Sequence, residues 1–385
     1  MDAQDLVAPV ADDILTAADE TERERRLPDR LMERLVEAGL FSIYTPRAFG
    51  GLELPLPAAH RVVEEVSRLD GSTGWTVALG HANAQLTCAL SDESAARVLK
   101  NGSALLAHGA LSSTVRAEAV AGGYRLTGQW QFCSGARNAT WVIAAGPVFD
   151  GDEPRIGEAG PEMVVAFVPP EDVEIVDTWH VSGLRGTGSH DLRVRDLFVP
   201  EELSYPLALP AGPQPRRAST LTRIPFLTAL AIALSPAVCL GIARRAVDKF
   251  RELSMGKERP FALRLSEQVQ AQVGLARAEA LVRSARSYWY QSVGAIWQKA
   301  STGEDISLED RTGIRLAALT AAENSTQAVD IAWRLGGSSS IFVSSPLERC
   351  WRDVHAAAQH MQVQDGRWET AGRVLFGLEP GSPFV

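Results

Sequence analysis

Residues able to do chemistry gather in a few short stretches of this chain. Gly183-Leu184-Arg185-Gly186-Thr187-Gly188-Ser189, preceded by Trp179, interleaves glycines with a cation and hydroxyls just before a β-rich run. Such a polar turn can bring backbone N–H groups up to a bound ligand. Trp130-Gln131-Phe132-Cys133-Ser134-Gly135 closes another β-rich run with aromatic side chains that can wall a flat ring, and with a hydroxyl at Ser134. Ala107-His108-Gly109 offers an imidazole before that run, and His81 offers a second candidate for the same pocket. Near the C-terminus, Gly336-Gly337 and a run of serines precede Pro346 to His360, a segment bearing Arg349, Arg352, Asp353, His355 and His360. The Gly-Gly turn is too small to pack, so backbone there can approach a ligand. Leu347 to Gln362 contains no helix breaker and is expected to be one helix. On it, His355 and His360 would point roughly 140° apart, whereas Asp353 and His360 would share a face.

These groups need a scaffold, and the chain is long enough to supply a large one. Its 385 residues are 45% hydrophobic and 22% charged, as in a globular protein of two or three domains. The net charge of -9 is spread without a basic stripe, which argues against nucleic acid. Ile224 to Ile242 is apolar but interrupted by Pro225, Ser235 and Pro236, and it reads as a buried helix start, not a membrane span. Cys88, Cys133, Cys239 and Cys350 have no zinc or CxxC spacing. The acidic N-terminus lacks the pattern of a signal peptide, so a cytoplasmic protein is expected.

The periodicity changes twice. Residues 1–105 read as helices, including Leu27 to Ala38 and Arg61 to Leu69, with Ser72 placed to cap the helix that carries Trp75. Residues 106–205 carry short β-rich runs separated by Gly, Pro and Asp, the pattern of a small barrel. The proline-rich segment 206–215 reads as a linker. Residues 216–385 hold long apolar-periodic runs, Leu227 to Leu253, Ser266 to Thr302 and Ser307 to Leu335, which with the last helix suggest an antiparallel four-helix bundle.

Taken together, these stretches resemble the acyl-CoA dehydrogenase superfamily. The resemblance is carried by Ala38-Gly39-Leu40-Phe41 and Pro46-Arg47-Ala48-Phe49-Gly50-Gly51, by the loop 183–192, and by the Gly-Gly turn with its Arg-Asp helix. It implies an α+β multidomain fold with an N-terminal helical domain, a central β-barrel and a C-terminal four-helix bundle. It also implies a flavin bound near Phe132, Ser134, Trp179, Arg185, Gly186, Thr187, Gly188, Ser189, Gly336 and Gly337. Arg259, before Pro260 and Phe261, matches in part an arginine that reaches flavin phosphate across a subunit interface. Where the dehydrogenases carry a catalytic glutamate, an ungapped reading puts Met361, which cannot abstract a proton, with His360 beside it.

That departure, and the upstream Trp179 with Thr187-Gly188-Ser189, resemble the two-component monooxygenase branch. The resemblance then implies reduced flavin (FMNH2 or FADH2) from a separate reductase, O2 as co-substrate, a C4a-hydroperoxyflavin and no metal. The substrate would be an aromatic or similar small molecule. Ser134 would hydrogen-bond near flavin N5, His360 would support the oxygen chemistry, and His108 would deprotonate or orient a phenol. No GxGxxG follows a strand, so no nicotinamide site is expected in this chain. The family assembles as a dimer of dimers, so a homotetramer is expected. The rivals are an acyl-CoA dehydrogenase or oxidase with its base displaced to Glu267, Glu279 or Glu323, an N- or S-oxygenase of the same fold, and an inactive subunit.

Overall fold

A computed structural model describes residues 3–100, 102–110, 114–157, 160–232, 235–256 and 264–384, with the side chains of His81, Ala231 and Ile232 also outside the description. The chain opens with helices α1 (Ala3–Val7), α2 (Ala11–Glu24), α3 (Asp29–Glu37), α4 (Leu56–Leu69), α5 (Gly71–Ala84) and α6 (Asp92–Leu99). On α2, Ile14, Ala17, Ala18 and Thr21 are buried, while Asp12 and Asp13 occupy the first turn, where the helix dipole favours carboxylates. Asp70, not Ser72, caps α5: its side chain accepts from the Thr73 backbone N–H at 2.8 Å. Ser72 already lies inside that helix, so its hydroxyl is a residue too late to cap.

Strands follow: β1 (Leu106–His108), β2 (Arg116–Val120), β3 (Gly123–Cys133), β4 (Trp141–Asp150), β5 (Glu153–Pro154), β6 (Ile156–Gly157), β7 (Gly160–Pro161), β8 (Met163–Val168), β9 (Glu174–Val176), β10 (His190–Pro200) and β11 (Ser204–Leu207). Nine of them form one sheet with the path β11-β8-β4-β2-β3-β10-β9, to which β1 and β5 add on β4. The sheet curls over a single core containing Leu126, Trp130, Ala144, Phe167 and Leu192. The Trp130 indole N–H donates across that core to the Ala145 carbonyl at 2.7 Å, although β3 and β4 are not neighbours. The proline-rich segment begins inside the sheet, with Pro206 opposite Val164 on the end strand β11, where a missing N–H is tolerated.

The C-terminal part is helical: α7 (Phe226–Ile232), α8 (Ser235–Gly256), α9 (Val269–Thr302), α10 (Leu308–Gly336), α11 (Pro346–Ala357) and α12 (Gly366–Leu375). The segment Phe226–Gly256 is long and apolar enough to cross a membrane, but 86% of its most apolar window is buried inside the fold. The first helices and this bundle share one core, in which Leu31, Val66, Val247, Phe250, Trp289 and Ala328 belong to the same cluster. The C-terminal helix is shorter than the sequence suggests. It ends at Ala357, and His360 and Met361 lie in the turn before α12. No Gly or Pro ends it. A tertiary bond holds the turn instead: the buried Arg315 guanidinium donates to the Gln362 carbonyl at 2.7 Å.

Candidate active site

Ser134, in the turn after β3, stands at the junction of sheet and helices. Its Oγ lies 3.0 Å from Trp75 Nε1 and 2.7 Å from Ser189 Oγ, Ser189 lies 2.7 Å from Thr187 Oγ1, and Thr187 Oγ1 lies 2.8 Å from the Leu184 carbonyl. One assignment of hydrogens satisfies every contact. The carbonyl can only accept, so Thr187 donates to it, Ser189 donates to Thr187, Ser134 donates to Ser189, and the Trp75 N–H donates to Ser134. Ser134 keeps a lone pair for a ligand N–H.

The chain geometry around Ser134 departs from a plain strand. Trp130 and Phe132 are two apart, which in a regular strand would put both on one face. Here β3 carries an extra residue opposite β10 between Trp130 and Cys133, and Phe132 has φ +59. The bulge turns Trp130 into the sheet core, 1% exposed, and Phe132 outward, 61% exposed. Trp130 is therefore not part of a ligand wall. Phe132 stands edge-on to Trp179, ring centroids 6.2 Å apart, and the Trp179 N–H donates to the Leu184 carbonyl at 3.1 Å.

The loop 183–189 is held by protein on several sides. A side chain at Gly183 would sit 2.0 Å from the Arg352 carbonyl on α11, and one at Gly186 would meet Thr21 of α2 at 2.3 Å. These glycines, and Gly188 against Arg25, make room for neighbouring helices, a purpose the sequence did not disclose. Arg185 Nη1 reaches Glu22 at 3.4 Å. The Leu184 N–H donates to Asp353 Oδ1 at 2.7 Å. Burial, and then the nearby Asp70 carboxylate, push the Asp353 carboxyl up to about 7. Arg349 pairs with Glu22 at 2.9 Å and with Asp19, and Arg352 pairs with Glu22 at 2.8 Å and Glu348 at 2.6 Å. Both arginines tie α11 to α2 or to itself; neither is a free phosphate ligand.

His360 packs edge-on against Trp75, centroids 5.5 Å apart, so it joins the Ser134 cluster. Its Nδ1 is buried and has no hydrogen-bond partner. Burial, and then the positive charge of Arg315, lower its pKa to about 4, so the ring is neutral at pH 7. His355 faces elsewhere, on Asp330 at 2.9 Å and against the Trp351 ring at 4.7 Å. Met361 is 42% exposed. His108, on β1, lies with Nδ1 3.1 Å from the Ile143 carbonyl, so Nδ1 carries the hydrogen and Nε2 is the basic nitrogen. Burial lowers its pKa, and that backbone bond opposes the shift. Its strand runs beside the β3 terminus, where Ala110 N–H donates to the Gln131 carbonyl at 2.8 Å, and Asn83 of α5 bonds the Leu106 carbonyl at 2.7 Å.

Other expected site residues lie apart from this cluster. Gly336 and Gly337 precede α11, at the opposite end from His360, and only Gly337 has positive φ, +62. His81 lies on α5, with its side chain outside the described residues, as is all of Arg259. The candidate displaced bases are occupied in the bundle: Glu279 with Arg244 and Arg283, Glu267 on the Arg264 N–H, and Glu323 with Gln327. Trp75 and Asp353 are site residues whose contacts the sequence did not foretell. The Asp70–Trp75 segment reads in sequence as a helix start, and Asp353 as half of an Arg-Asp pair and a helix-face neighbour of His360, neither disclosing its contact.

A row of hydroxyls, an exposed Phe132 edge-on to a partly buried Trp179, and a neutral histidine with an unpartnered nitrogen fit an isoalloxazine, which needs an apolar wall and polar contacts along one edge. With helices at both ends and a curled sheet between, these features define a flavoprotein of acyl-CoA dehydrogenase architecture. The family models for the acyl-CoA dehydrogenase N-terminal and C-terminal domains match residues 3–101 and 233–365. The chain belongs to the acyl-CoA dehydrogenase family. Among its relatives is the indole-3-acetate monooxygenase of Pseudomonas putida, 32% identical over 94% of this chain and 90% of that one. The oxygenase component of the FADH(2)-dependent resorcinol hydroxylase of a Rhizobium species is 31% identical, covering 97% and 94%. Among solved structures, XiaF from a Streptomyces species, in complex with FADH2 and glycerol, superposes with a TM-score of 0.91 at 26% identity, covering 100% and 97%.

Proposed function

We propose that this protein is the oxygenase component of a two-component flavin-dependent monooxygenase that hydroxylates a small aromatic molecule. One observation carries the reading within the family. Where a dehydrogenase requires a carboxylate base, this chain presents Met361 and a neutral His360. The carboxylate closest to the loop, Asp353, is already bonded to Leu184. When bound, reduced flavin supplies the activation of O2 and delivers the oxygen atom.

The chain's own residues orient and protect that chemistry. Ser134 offers its remaining lone pair to a ring N–H, and Trp75 fixes it in that orientation. Neutral His360 provides an unpaired Nδ1 as a hydrogen-bonding group. His108 Nε2, its tautomer set by Ile143, takes the proton of a phenolic hydroxyl, a step for which a positioned base is worth roughly 10²–10⁴ in rate. Phe132, Trp179 and the apolar core exclude water, which keeps the activated oxygen from being lost as peroxide.

The reduced flavin comes from a separate NAD(P)H-dependent reductase, and this reading places both proteins in the cytoplasm. Rapid mixing of the protein–reduced-flavin complex with O2 tests the assignment. A long-lived oxygenated flavin absorbance, with no NADH oxidation by the isolated chain, is expected. Anaerobic bleaching of oxidised flavin by an acyl-CoA thioester would overturn it.

A further inference from the structure

Arg315, on α10, is 1% exposed and is one of the largest fully buried side chains. Its Nη1 donates to the backbone and side-chain oxygens of Gln362, at 2.7 and 3.1 Å. Its Nε and Nη2 are buried and have no partner. Several partly buried arginines elsewhere in the helical core meet carboxylates: Arg244 with Glu279, Arg286 with Glu64, and Arg349 and Arg352 with Glu22. No described carboxylate bonds Arg315, and the charged group that acts on it is another cation, Arg367. An unpaired buried cation is strongly unfavourable, and buried charges are ordinarily matched by a counter-charge.

The Gln362 bonds explain one nitrogen of this side chain. They hold the turn after α11 and leave two nitrogens, Nε and Nη2, which on a guanidinium can together grip a planar anion. The unused charge is not remote. Gln362 is two residues from His360, and the Arg315 charge is felt at the His360 ring, whose Nδ1 is itself orphaned. Two guanidinium nitrogens and an imidazole nitrogen, all without partners, are therefore linked through the Gln362 turn and by charge.

We propose that Arg315 anchors the carboxylate of the substrate, so that the enzyme acts on small aromatic acids. The inference rests on the monooxygenase reading for the word substrate, but its test is a binding measurement that needs neither O2 nor a reductase. The flavin-loaded protein is titrated calorimetrically with phenylacetate and indole-3-acetate, each against its primary amide, which has the same shape and no charge. At least one acid is expected to bind roughly 30-fold or more tightly than its amide, as for a buried charge pair against an unpaired buried charge. Arg315→Met should erase that ratio and Arg315→Lys should retain part of it.

Equal affinity of acid and amide in the unaltered protein would overturn the proposal, as would an undiminished ratio in Arg315→Met. If Arg315→Met does not fold, the comparison in the unaltered protein still decides, supported by a larger thermal shift with the acid. Loss of anaerobic reduced-flavin binding in Arg315→Met, with the acid–amide ratio intact, would assign the charge to the anionic flavin and so refute a substrate anchor. Acid-selective binding without any hydroxylated product would uphold the anchor while removing the monooxygenase reading.

Discussion

Asp353→Ala should weaken flavin binding far more than Asp353→Asn. The Leu184 N–H is buried and its acceptor is Asp353 Oδ1, so alanine leaves that N–H unsatisfied inside the protein. The cost is about 1–3 kcal/mol. If the loop relieves it by leaving α11, the loss falls on the ligand-competent arrangement and corresponds to roughly 5–150-fold in affinity. Asparagine keeps an oxygen for the Leu184 N–H and should stay close to the unaltered protein. The assay is anaerobic titration with reduced flavin, followed by fluorescence, beside a thermal melt. Equal flavin affinity for the two variants would refute the clamp.

The same pair has a pH signature with a definite sign. The folded Asp353 carboxyl titrates at about 7, against 3.8 ordinarily. A folded-state pKa raised in an acid means the fold holds a proton that the unfolded chain has released. Its contribution is complete below about pH 4 and is lost as pH rises to about 7, by about 1.4 kcal/mol per pH unit at most. Arg352 and the Leu184 N–H oppose the shift, while Asp70 and Glu22 add to it. Asparagine cannot ionise, so the melting temperature of Asp353→Asn relative to the unaltered protein should climb from pH 5 to pH 8. A constant difference would show that Asp353 does not titrate in that window.

The remaining expectations concern histidines and assembly. His360→Ala should reduce hydroxylated product by roughly 10²-fold or more and raise hydrogen peroxide, whereas His355→Ala, which loses only Asp330 and Trp351, should leave coupling unchanged; product-to-peroxide ratios check both. His60 is buried with both ring nitrogens unpartnered, and burial lowers its pKa to about 3. Its neutral form stabilises the fold above pH 6.5, and that contribution disappears as pH falls towards 3, so His60→Phe should shift acid unfolding to lower pH, read by circular dichroism. Ile341, Phe342 and Val343 are 62–72% exposed beside the Gly337 turn, an apolar surface suited to a neighbouring copy; light scattering should report a tetramer, and a monomer at micromolar concentration would refute it.

Much of the site was legible because its chemistry is local in sequence. Thr187 and Ser189 lie in the same turn, and Ser134 sits at a strand end marked by aromatics and glycine, so residue types alone announce a hydroxyl-rich edge. What the sequence hid depends on contacts across long separations. Trp75 orients Ser134 from 59 positions away, and nothing in a capped helix start discloses an indole N–H with that target. Trp130 and Phe132 both read as wall for a flat ring, and a bulge opposite β10 sends Trp130 into the sheet core instead. The end of α11 was invisible for the same reason, since its stop is made by Arg315 from another helix.

That last case also bears on His360, because α11 stops before it and the turn, not a helix face, sets where its ring points. The wheel that separated His355 from His360 assumed a continuous helix, which ends at Ala357. Yet the turn carries His360 inward onto Trp75 and leaves Met361 towards solvent. The missing carboxylate and the inward histidine therefore have one physical origin. A turn pinned by a buried cation brings an imidazole to the site, where burial, and then that positive charge, keep the ring neutral. A carboxylate at position 360 would instead be drawn to Arg315 and held ionised by it. Dehydrogenase chemistry should therefore not return with Met361→Glu, whose side chain starts from the exposed side of the turn. Efficient acyl-CoA oxidation by that variant, measured as anaerobic flavin bleaching, would break the link between the turn and the reaction.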